Sequence, residues 1–235
     1  MAPLLGYWLP RGYAQILRMI MAQGGAEWDE KVYELGDAPD FSRDQWLKDK
    51  ADGLGLDFPN LPYYIDGDLK ISQTMAIARH LARKYGLIAD SEEANIRQDM
   101  VEYQLLDFRQ ALVNLGYREW TEENKQKYIT EVLPTHLGLF SKFLGEREWI
   151  TGEKVNFVDF FLYDVLDWNL YLVPDCLKDY ANLDALVKRV EELPSIKAWM
   201  ASDKYRSWPL FNKIAKWGTD PQDQYARLPA LANKN

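Results

Sequence analysis

Residues 62–72 read PYYIDGDLKIS, a pattern that predicts a β-hairpin. Asp66-Gly67 stands between the β-prone runs Tyr-Tyr-Ile and Leu-Lys-Ile, and this dipeptide is typical of a two-residue hairpin turn. Pro62 opens the first strand, where a missing N–H does least harm to the hydrogen-bonded ladder. Directly after the hairpin, we expect Thr74 to cap a helix that ends at Gly86.

The residues before the hairpin predict a strand, a helix and a second strand. Residues 4–9 form an apolar run suited to a buried strand. Residues 13–23 carry apolar side chains at helical spacing, and Gly24-Gly25 ends that helix. Residues 28–35 give a weaker strand signal. The first 85 residues therefore indicate a mixed α and β unit.

From Ser91 onward the pattern changes to successive helices. Ser91 is a suitable N-cap for a helix over 92–117, which carries two apolar stripes. The first stripe contains Val101, Leu105, Phe108, Leu112 and Leu115, and the second contains Ile96, Met100 and Tyr103 and continues to Asp107. A helix that is apolar on two sides is buried against two surfaces, so we expect the core on one side and a partner subunit on the other.

The remaining helices are marked by their boundaries. Residues 122–144 predict a long helix that bends at Pro134. Asn156 and Asp159 resemble a capping box at the start of an almost wholly apolar helix that reaches residue 171. Shorter helices are expected over 183–193 and 195–200, and residues 218–235 predict a poorly ordered polar tail.

Composition argues against several functional classes. The chain carries 28 Lys and Arg against 36 Asp and Glu, a net charge of −8, which disfavours nucleic acid and anionic membranes as partners. The single cysteine, Cys176, forbids an intrachain disulfide and a cysteine-rich zinc site. His80 and His136 are the only histidines, which argues against a histidine-based metal site. Because no signal peptide or long apolar run is evident, we expect a cytoplasmic protein.

Several short sequence blocks follow one another at a distinctive spacing. The blocks are Leu5-Gly6-Tyr7-Trp8, Arg11-Gly12, Gly36-Asp37-Ala38-Pro39-Asp40, Gln45-Trp46-Leu47, residues 55–63, Ser72-Gln73-Thr74, Asp99, Asp107, Tyr117, Val158-Asp159-Phe160 and residues 207–217. Together they resemble the cytosolic glutathione transferases of the mu class, and the likeness covers about residues 1–217. The resemblance implies an α+β/α fold, in which a thioredoxin-like N-terminal domain (βαβ-α-ββα, residues 1–86) precedes an all-helical C-terminal domain (87–217). It also implies a homodimer that uses glutathione as a co-substrate, with no metal or organic cofactor.

The resemblance implies the residues of the glutathione site. The Tyr7 hydroxyl is expected to hydrogen-bond the glutathione sulfur and lower its pKa. The γ-glutamyl carboxylate is expected at the start of the helix at Gln73 and Thr74, because exposed N–H groups favour anions there. The other expected contacts are Trp8, Arg43, Trp46, Lys50, Asn60, Leu61 and a cis Pro62, with Asp107 reaching the γ-glutamyl amine of the partner subunit's ligand.

A pocket for the electrophile and a dimer surface are implied in the same way. Tyr13, Tyr117 and Trp208 would line the pocket, and Tyr117 would donate a hydrogen bond to the electrophile or its leaving group. Phe58 would insert into the partner subunit, while Arg79 and Asp99 would meet near the two-fold axis. Three departures from the family pattern stand out: Tyr13 replaces a usual leucine, Thr74 replaces a usual serine, and the segment after Lys50 is about one residue longer.

Three functions remain open on the sequence. The first is an enzyme that conjugates the glutathione thiolate to small hydrophobic electrophiles, a detoxifying reaction. The second is a non-catalytic ligand carrier or structural protein on the same fold, which the bulky Tyr13 and Trp208 would suit. The third is a glutathione-dependent isomerase. The presence of Tyr7, Lys50, Gln73 and Asp107 together favours the transferase.

Overall fold

A computed structural model describes residues 2–219 of the chain. Its N-terminal part is built around a four-stranded sheet. The strands are β1 (Leu4–Trp8), β2 (Asp29–Tyr33), β3 (Tyr63–Asp66) and β4 (Leu69–Ser72), in the spatial order β2-β1-β3-β4. β1 and β2 are parallel, whereas β3 pairs antiparallel with both β1 and β4. Helices α1 (Gln15–Gln23), α2 (Asp44–Ala51) and α3 (Thr74–Lys84) complete the predicted βαβ-α-ββα order, which is confirmed.

Within residues 2–219, six α-helices follow α3, and the predicted all-helical second part is confirmed. They are α4 (Glu92–Tyr117), α5 (Glu122–Lys127), α6 (Leu133–Leu144), α7 (Phe157–Leu172), α8 (Ala181–Glu192) and α9 (Pro194–Met200). The Ser91 hydroxyl accepts a hydrogen bond from the Ala94 N–H, so Ser91 caps α4 as predicted. No helix within residues 2–219 is long and apolar enough to cross a membrane.

Three local predictions in the N-terminal part are wrong by about one residue. The hairpin turn consists of Gly67 and Asp68, because Asp66 still pairs with Leu69 in the ladder. Gly67 has φ +61°, the left-handed conformation that the turn requires. The cap of α3 is Gln73 rather than Thr74, and no side-chain hydrogen bond closes this end. The helix expected over 13–23 begins as a 3₁₀ turn, Gly12–Ala14, before α1.

The predicted helix over 122–144 is continuous, but its hydrogen-bond spacing changes just before Pro134. Tyr128–Val132 forms a π turn between α5 and α6, and the Leu133 N–H bonds to the Tyr128 carbonyl, five residues earlier. Pro134 lacks an N–H and so sits in the first turn of α6, where no intrahelical donor is needed. The irregularity therefore lies in the π turn rather than at the proline itself.

α7 forms the centre of the core, as its apolar sequence predicts. Its residues 157–169 are all buried, and it packs against α1, α4 and α8. The predicted capping box is confirmed, because the Asn156 side chain accepts from the Val158 N–H (3.2 Å) and Asp159 accepts from the Asn156 N–H (2.8 Å). Asp159 also accepts a hydrogen bond from the Ile150 N–H at 2.8 Å.

The C-terminal segment differs from the predicted start of the tail. Gly218 is buried, and its carbonyl accepts hydrogen bonds from the N–H groups of Leu210 and Phe211. The chain is therefore packed as far as residue 218, where the tail was expected to begin. Residues 220–235, which make up the rest of that prediction, lie outside the described residues.

Candidate functional site

The Tyr7 side chain lies in β1 and is only 8% exposed. Its hydroxyl oxygen accepts a hydrogen bond from the backbone N–H of Tyr13 at 2.9 Å. Burial raises the pKa of Tyr7 well above its ordinary value of 10, and the Tyr13 N–H offsets only part of that effect. The hydroxyl therefore stays protonated at neutral pH, with its own proton available for donation to a neighbouring anion.

Gly12 allows this arrangement because its position leaves no room for a side chain. Its φ is +43°, and a Cβ there would lie 2.4 Å from the Tyr7 hydroxyl oxygen. The 3₁₀ turn Gly12–Ala14 can consequently pass close enough to Tyr7 for the Tyr13 N–H to reach the hydroxyl. The backbone hydrogen bond fixes the hydroxyl at the C-terminal end of β1.

A first cavity of about 510 Å³ lies in front of Tyr7. Its lining is largely aromatic and apolar, which suits a hydrophobic ligand. The Tyr117 hydroxyl accepts from the Asn212 N–H at 2.8 Å, and burial raises the pKa of Tyr117 to about 12. Its proton is therefore also free to be donated. The lining includes Tyr7, Trp8, Tyr13, Tyr117, Phe211 and Ile214.

Trp208 was predicted to line this cavity but is not among its lining residues. The Trp208 ring packs against Tyr171 with centroids 5.3 Å apart, and its indole N–H donates to the Thr219 carbonyl at 3.3 Å. These contacts turn Trp208 away from the cavity, and Phe211 supplies the aromatic wall instead. Sequence alone did not distinguish the two, because both are aromatic residues of the same irregular segment.

A second cavity of about 560 Å³ adjoins the first, since Tyr13, Leu61 and Gln110 line both. It brings together Asn60 with Gln73, Thr74 and Asp107, four residues that were predicted to contact glutathione. Asp107 lies here beside the Gln73 and Thr74 of its own chain.

Two unusual backbone conformations lie beside this second cavity. The Leu61–Pro62 bond is cis, as the resemblance implied. The Leu61 N–H donates to the Asn60 side chain at 2.9 Å. Gln73 has φ +74° and precedes the first turn of α3, whose N–H groups carry the partial positive charge that attracts a carboxylate.

Three predicted ligands on or before α2 lie apart from both cavities. Arg43 and Lys50 are exposed, whereas Trp46 is only 6% exposed and stacks on Tyr63 with centroids 6.4 Å apart. None of the three lines either cavity. Trp46 therefore packs on the sheet, whereas Lys50 is exposed to solvent.

The part of the chain predicted to form a dimer surface includes exposed apolar side chains. Phe58 is 73% exposed, and the second stripe of α4 is exposed as well, with Ile96, Met100 and Tyr103 each at least half exposed. Arg79 lies 3.6 Å from Asp99, but its closer partner is Glu102 at 2.8 Å. Sequence analysis missed Glu102, although it follows Asp99 by three positions on the same helical face.

Sequence analysis also missed residues of α4 that line the cavities, although two of them lie at helical spacing from Asp107. Gln110 and Asn114 lie three and seven positions after Asp107, and both line the first cavity. Arg109 lines the second cavity and is almost wholly buried. Among residues 2–219, no group of three or more His, Cys, Asp or Glu side chains is placed to hold a metal ion.

Comparisons with known proteins agree with this geometry. The family profile for the glutathione S-transferase N-terminal domain matches residues 3–83, and the profile for the C-terminal domain matches residues 106–203. The chain belongs to the glutathione S-transferase family. The predicted family and fold class are thereby confirmed.

Two relatives of similar length are glutathione S-transferases of the mu class. Glutathione S-transferase Mu 4 of Mus musculus is 46% identical over 214 residues, which cover 91% of this chain and 97% of that protein. Glutathione S-transferase Mu 5 of Rattus norvegicus is 47% identical over 215 residues, which cover 92% and 95%. The mu-class assignment and the expectation of a transferase are confirmed by these relatives.

Solved structures give the same result for the fold. The glutathione S-transferase Blo t 8 superposes with a TM-score of 0.82 at 36% identity, covering 92% of this chain and 99% of the other. A pi-class glutathione S-transferase of Onchocerca volvulus superposes with a TM-score of 0.80 at 27% identity, covering 92% and 100%. The arrangement of the sheet and the helical part is therefore that of the family.

Proposed function

We propose that the protein conjugates glutathione to small hydrophobic electrophiles and that Tyr7 stabilises the thiolate. The observation that carries this proposal is the Tyr7 hydroxyl, which accepts a backbone N–H at 2.9 Å and keeps its own proton beside the first cavity. A hydroxyl that already accepts a hydrogen bond is a better donor to an anion. The mu-class relatives support the same reaction.

The chemistry requires a thiolate at neutral pH. A thiol with a pKa of about 8.5 is only about 3% thiolate at pH 7. Donation from Tyr7 favours the charged form, so the thiol proton leaves to water at lower pH. The sulfur lone pair then forms a C–S bond to the electrophile, and with an aryl halide the halide departs with the bonding electrons.

Glutathione would lie across the second cavity with its sulfur at the first. The γ-glutamyl carboxylate fits the N-terminus of α3 at Gln73 and Thr74, and the amine fits Asp107. The cysteinyl backbone would pair with Leu61 in the manner of an added strand, displacing the Asn60 side chain from the Leu61 N–H.

The glycine end and the electrophile complete the placement. The glycine carboxylate would extend towards α2, where exposed Lys50 and Arg43 supply positive charge and Trp46 an indole N–H. The electrophile would occupy the first cavity, where the Tyr117 hydroxyl has a proton to donate to it or to its leaving group. Glutathione is the co-substrate, and no cofactor takes part in this scheme.

We also infer a homodimer in the cytoplasm, in which Phe58 enters the partner subunit and Arg79 and Asp99 lie near the two-fold axis. Its support is the exposure of Phe58 and of the apolar stripe Ile96, Met100 and Tyr103 on α4. In this dimer Asp107 would reach the ligand of the partner subunit, in addition to lining the cavity of its own chain.

Replacement of Tyr7 by phenylalanine tests the function. If Tyr7 lowers the thiol pKa by about two units, its loss withdraws roughly 2.7 kcal/mol of thiolate stabilisation. Near pH 6.5 the thiolate fraction would fall from about a half to about 1%, and conjugation of an aryl halide should slow by one to two orders of magnitude. The rate should recover partly at high pH. Retention on a glutathione-affinity matrix should persist.

Tyr128→Phe is the matched control for this experiment. It removes a buried hydroxyl that bonds Asn169 at 2.8 Å but lies outside both cavities. Thiolate absorbance is titrated against pH for the parent and both variants. Equal titration curves for the parent and Tyr7→Phe would assign the activation of the thiol to another group. Retention of glutathione by a parent without turnover would favour the carrier function.

A further inference from the structure

Arg109 is a buried cation at the edge of the second cavity. It lies on α4, is only 2% exposed and lines the cavity together with Asp107. The aromatic rings of Tyr13 and Phe161 lie 4.4 Å and 4.3 Å from its guanidinium carbon. These two rings cover the cation and keep bulk water from it.

The charge of Arg109 is not neutralised by a direct ion pair. In the part of the chain that the structure describes, no carboxylate forms an ion pair with Arg109, and its Nη1 atom is buried without a hydrogen-bond partner. The carboxylate that acts on it most strongly is Asp164, but Asp164 pairs with Arg11 at 2.7 Å. Burial lowers the pKa of Arg109 despite this attraction, so Asp164 does not offset the cost of burying the guanidinium.

Tyr13 connects this cation to the proposed sulfur position. Its backbone N–H bonds the Tyr7 hydroxyl at 2.9 Å, while its ring covers the guanidinium of Arg109. Arg109 and Tyr7 lie close enough for their charges to interact. A negative charge formed next to the Tyr7 hydroxyl would thus face a cation screened by little water, where electrostatic attraction is strongest.

We propose that Arg109 supplies a fixed positive charge that stabilises the glutathione thiolate, acting together with the Tyr7 hydroxyl. This inference rests on the proposed placement of the sulfur at Tyr7. Tyr13 has two roles in it, since its backbone orients the Tyr7 hydroxyl and its ring shields Arg109. The competing role for Arg109 is purely structural: its charge would balance the acidic residues Asp164 and Asp167 around Arg11.

A titration of bound glutathione separates the two roles. In the complex of each variant with glutathione, thiolate absorbance is followed against pH. Arg109→Gln removes the charge and should raise the thiol pKa by about one unit, at the lower end of shifts caused by nearby charges. Arg109→Lys keeps the charge and should restore most of the shift. The conjugation rate of the Gln variant should fall about fivefold at pH 6.5 and much less well above both pKa values.

If Arg109→Gln fails to fold, a second pair of variants at Tyr13 tests the same role of Arg109. Tyr13→Leu removes the ring that covers Arg109 and admits water, so the thiol pKa should rise by roughly half a unit. Tyr13→Phe keeps the ring and should titrate as the parent does, and both variants retain the backbone N–H that bonds Tyr7. Parent-like titration curves for Arg109→Gln, or for Tyr13→Leu where the first variant is unfolded, would overturn the role of Arg109.

The outcome for the parent distinguishes this inference from the proposed function. A parent that leaves the thiol pKa of bound glutathione at its ordinary value would overturn both. A parent that lowers it, together with an Arg109→Gln variant that titrates identically, would overturn only the inference about Arg109.

Discussion

Gly12 shows how a single residue sets the chemistry of the site. Its positive φ directs the chain across the end of β1, and the absent side chain lets the turn approach the Tyr7 hydroxyl. Any other residue would combine backbone strain with a collision against the rigid tyrosine ring. The position of the hydroxyl therefore depends on a residue that takes no part in the chemistry.

Replacement of Gly12 by alanine should impair both stability and catalysis. The new Cβ would lie 2.4 Å from the Tyr7 hydroxyl oxygen and would displace it. Gly25→Ala is the matched control, because Gly25 has φ +66° but a Cβ there would meet no atom within 4 Å. Both variants should lose about 1 kcal/mol of unfolding free energy from strain. Only Gly12→Ala should lose activity, by tenfold or more in kcat/KM for an aryl halide; equal activities would mean that the Tyr7 position is not set by Gly12.

The sequence predicted site residues that belong to a recognisable motif, but it did not predict residues whose role depends on being buried in the folded chain. Tyr117, predicted to face a pocket three helical turns after Asp107 on α4, lines the first cavity. Arg109 was missed, since an arginine between Phe108 and Gln110 gives no signal that aromatic rings from two other segments enclose it. Such an enclosure arises only when the 3₁₀ turn and α7 pack against α4.

At the scale of elements, α7 is held at its N-terminus by one buried carboxylate. Asp159 accepts N–H groups from Asn156 and Ile150, both at 2.8 Å, and so joins the helix to the loop before it. Burial raises the pKa of Asp159 to about 7 in spite of these two hydrogen bonds. The first turn of the central helix is thus sensitive to pH.

The stability of the fold should fall as the pH rises towards 7, because of Asp159. The ordinary pKa of an aspartate is 3.8, and the folded value is about 7. Between these values the folded state holds a proton that the unfolded state has lost, so the free energy of unfolding decreases by up to about 1.4 kcal/mol per pH unit. Urea unfolding at pH 5.5, 6.25, 7 and 8 measures this slope. Asp159→Asn cannot titrate and should have a shallower slope between pH 5.5 and 7; parallel slopes would show that Asp159 is already ionised in the folded state.

Helix caps could be predicted from the sequence pattern, whereas the π turn could not. The capping box and the Ser91 cap were predictable, since each depends on a few neighbouring residues. The π turn Tyr128–Val132 was not, because the hydrogen-bond spacing of a helix is decided by what packs on it. Tyr128 is buried and its hydroxyl bonds Asn169 on α7, which is a long-range contact.

At the scale of the whole molecule, several large apolar side chains of the described residues are exposed to solvent. Ile96, Met100 and Tyr103 form an exposed stripe on α4, and Phe58 projects separately from the loop before β3. The Ser72 hydroxyl donates to the Phe58 carbonyl at 2.6 Å and holds that loop against β4. Apolar surfaces of this kind mark protein–protein contacts.

The protein should therefore sediment as a dimer at micromolar concentration, and Phe58→Ser should weaken that dimer. Loss of a buried aromatic anchor typically costs about 2 kcal/mol or more, which raises the dissociation constant about 30-fold. Leu69→Ser is the matched control, because Leu69 is also exposed (41%) but lies at the hairpin end of β4. Sedimentation across a concentration series should shift for Phe58→Ser and not for Leu69→Ser. If the parent protein is monomeric throughout the series, the dimer prediction is wrong and Asp107 cannot contact the ligand of a partner subunit. Asp107 would then bind the glutathione of its own chain, beside Gln73 and Thr74.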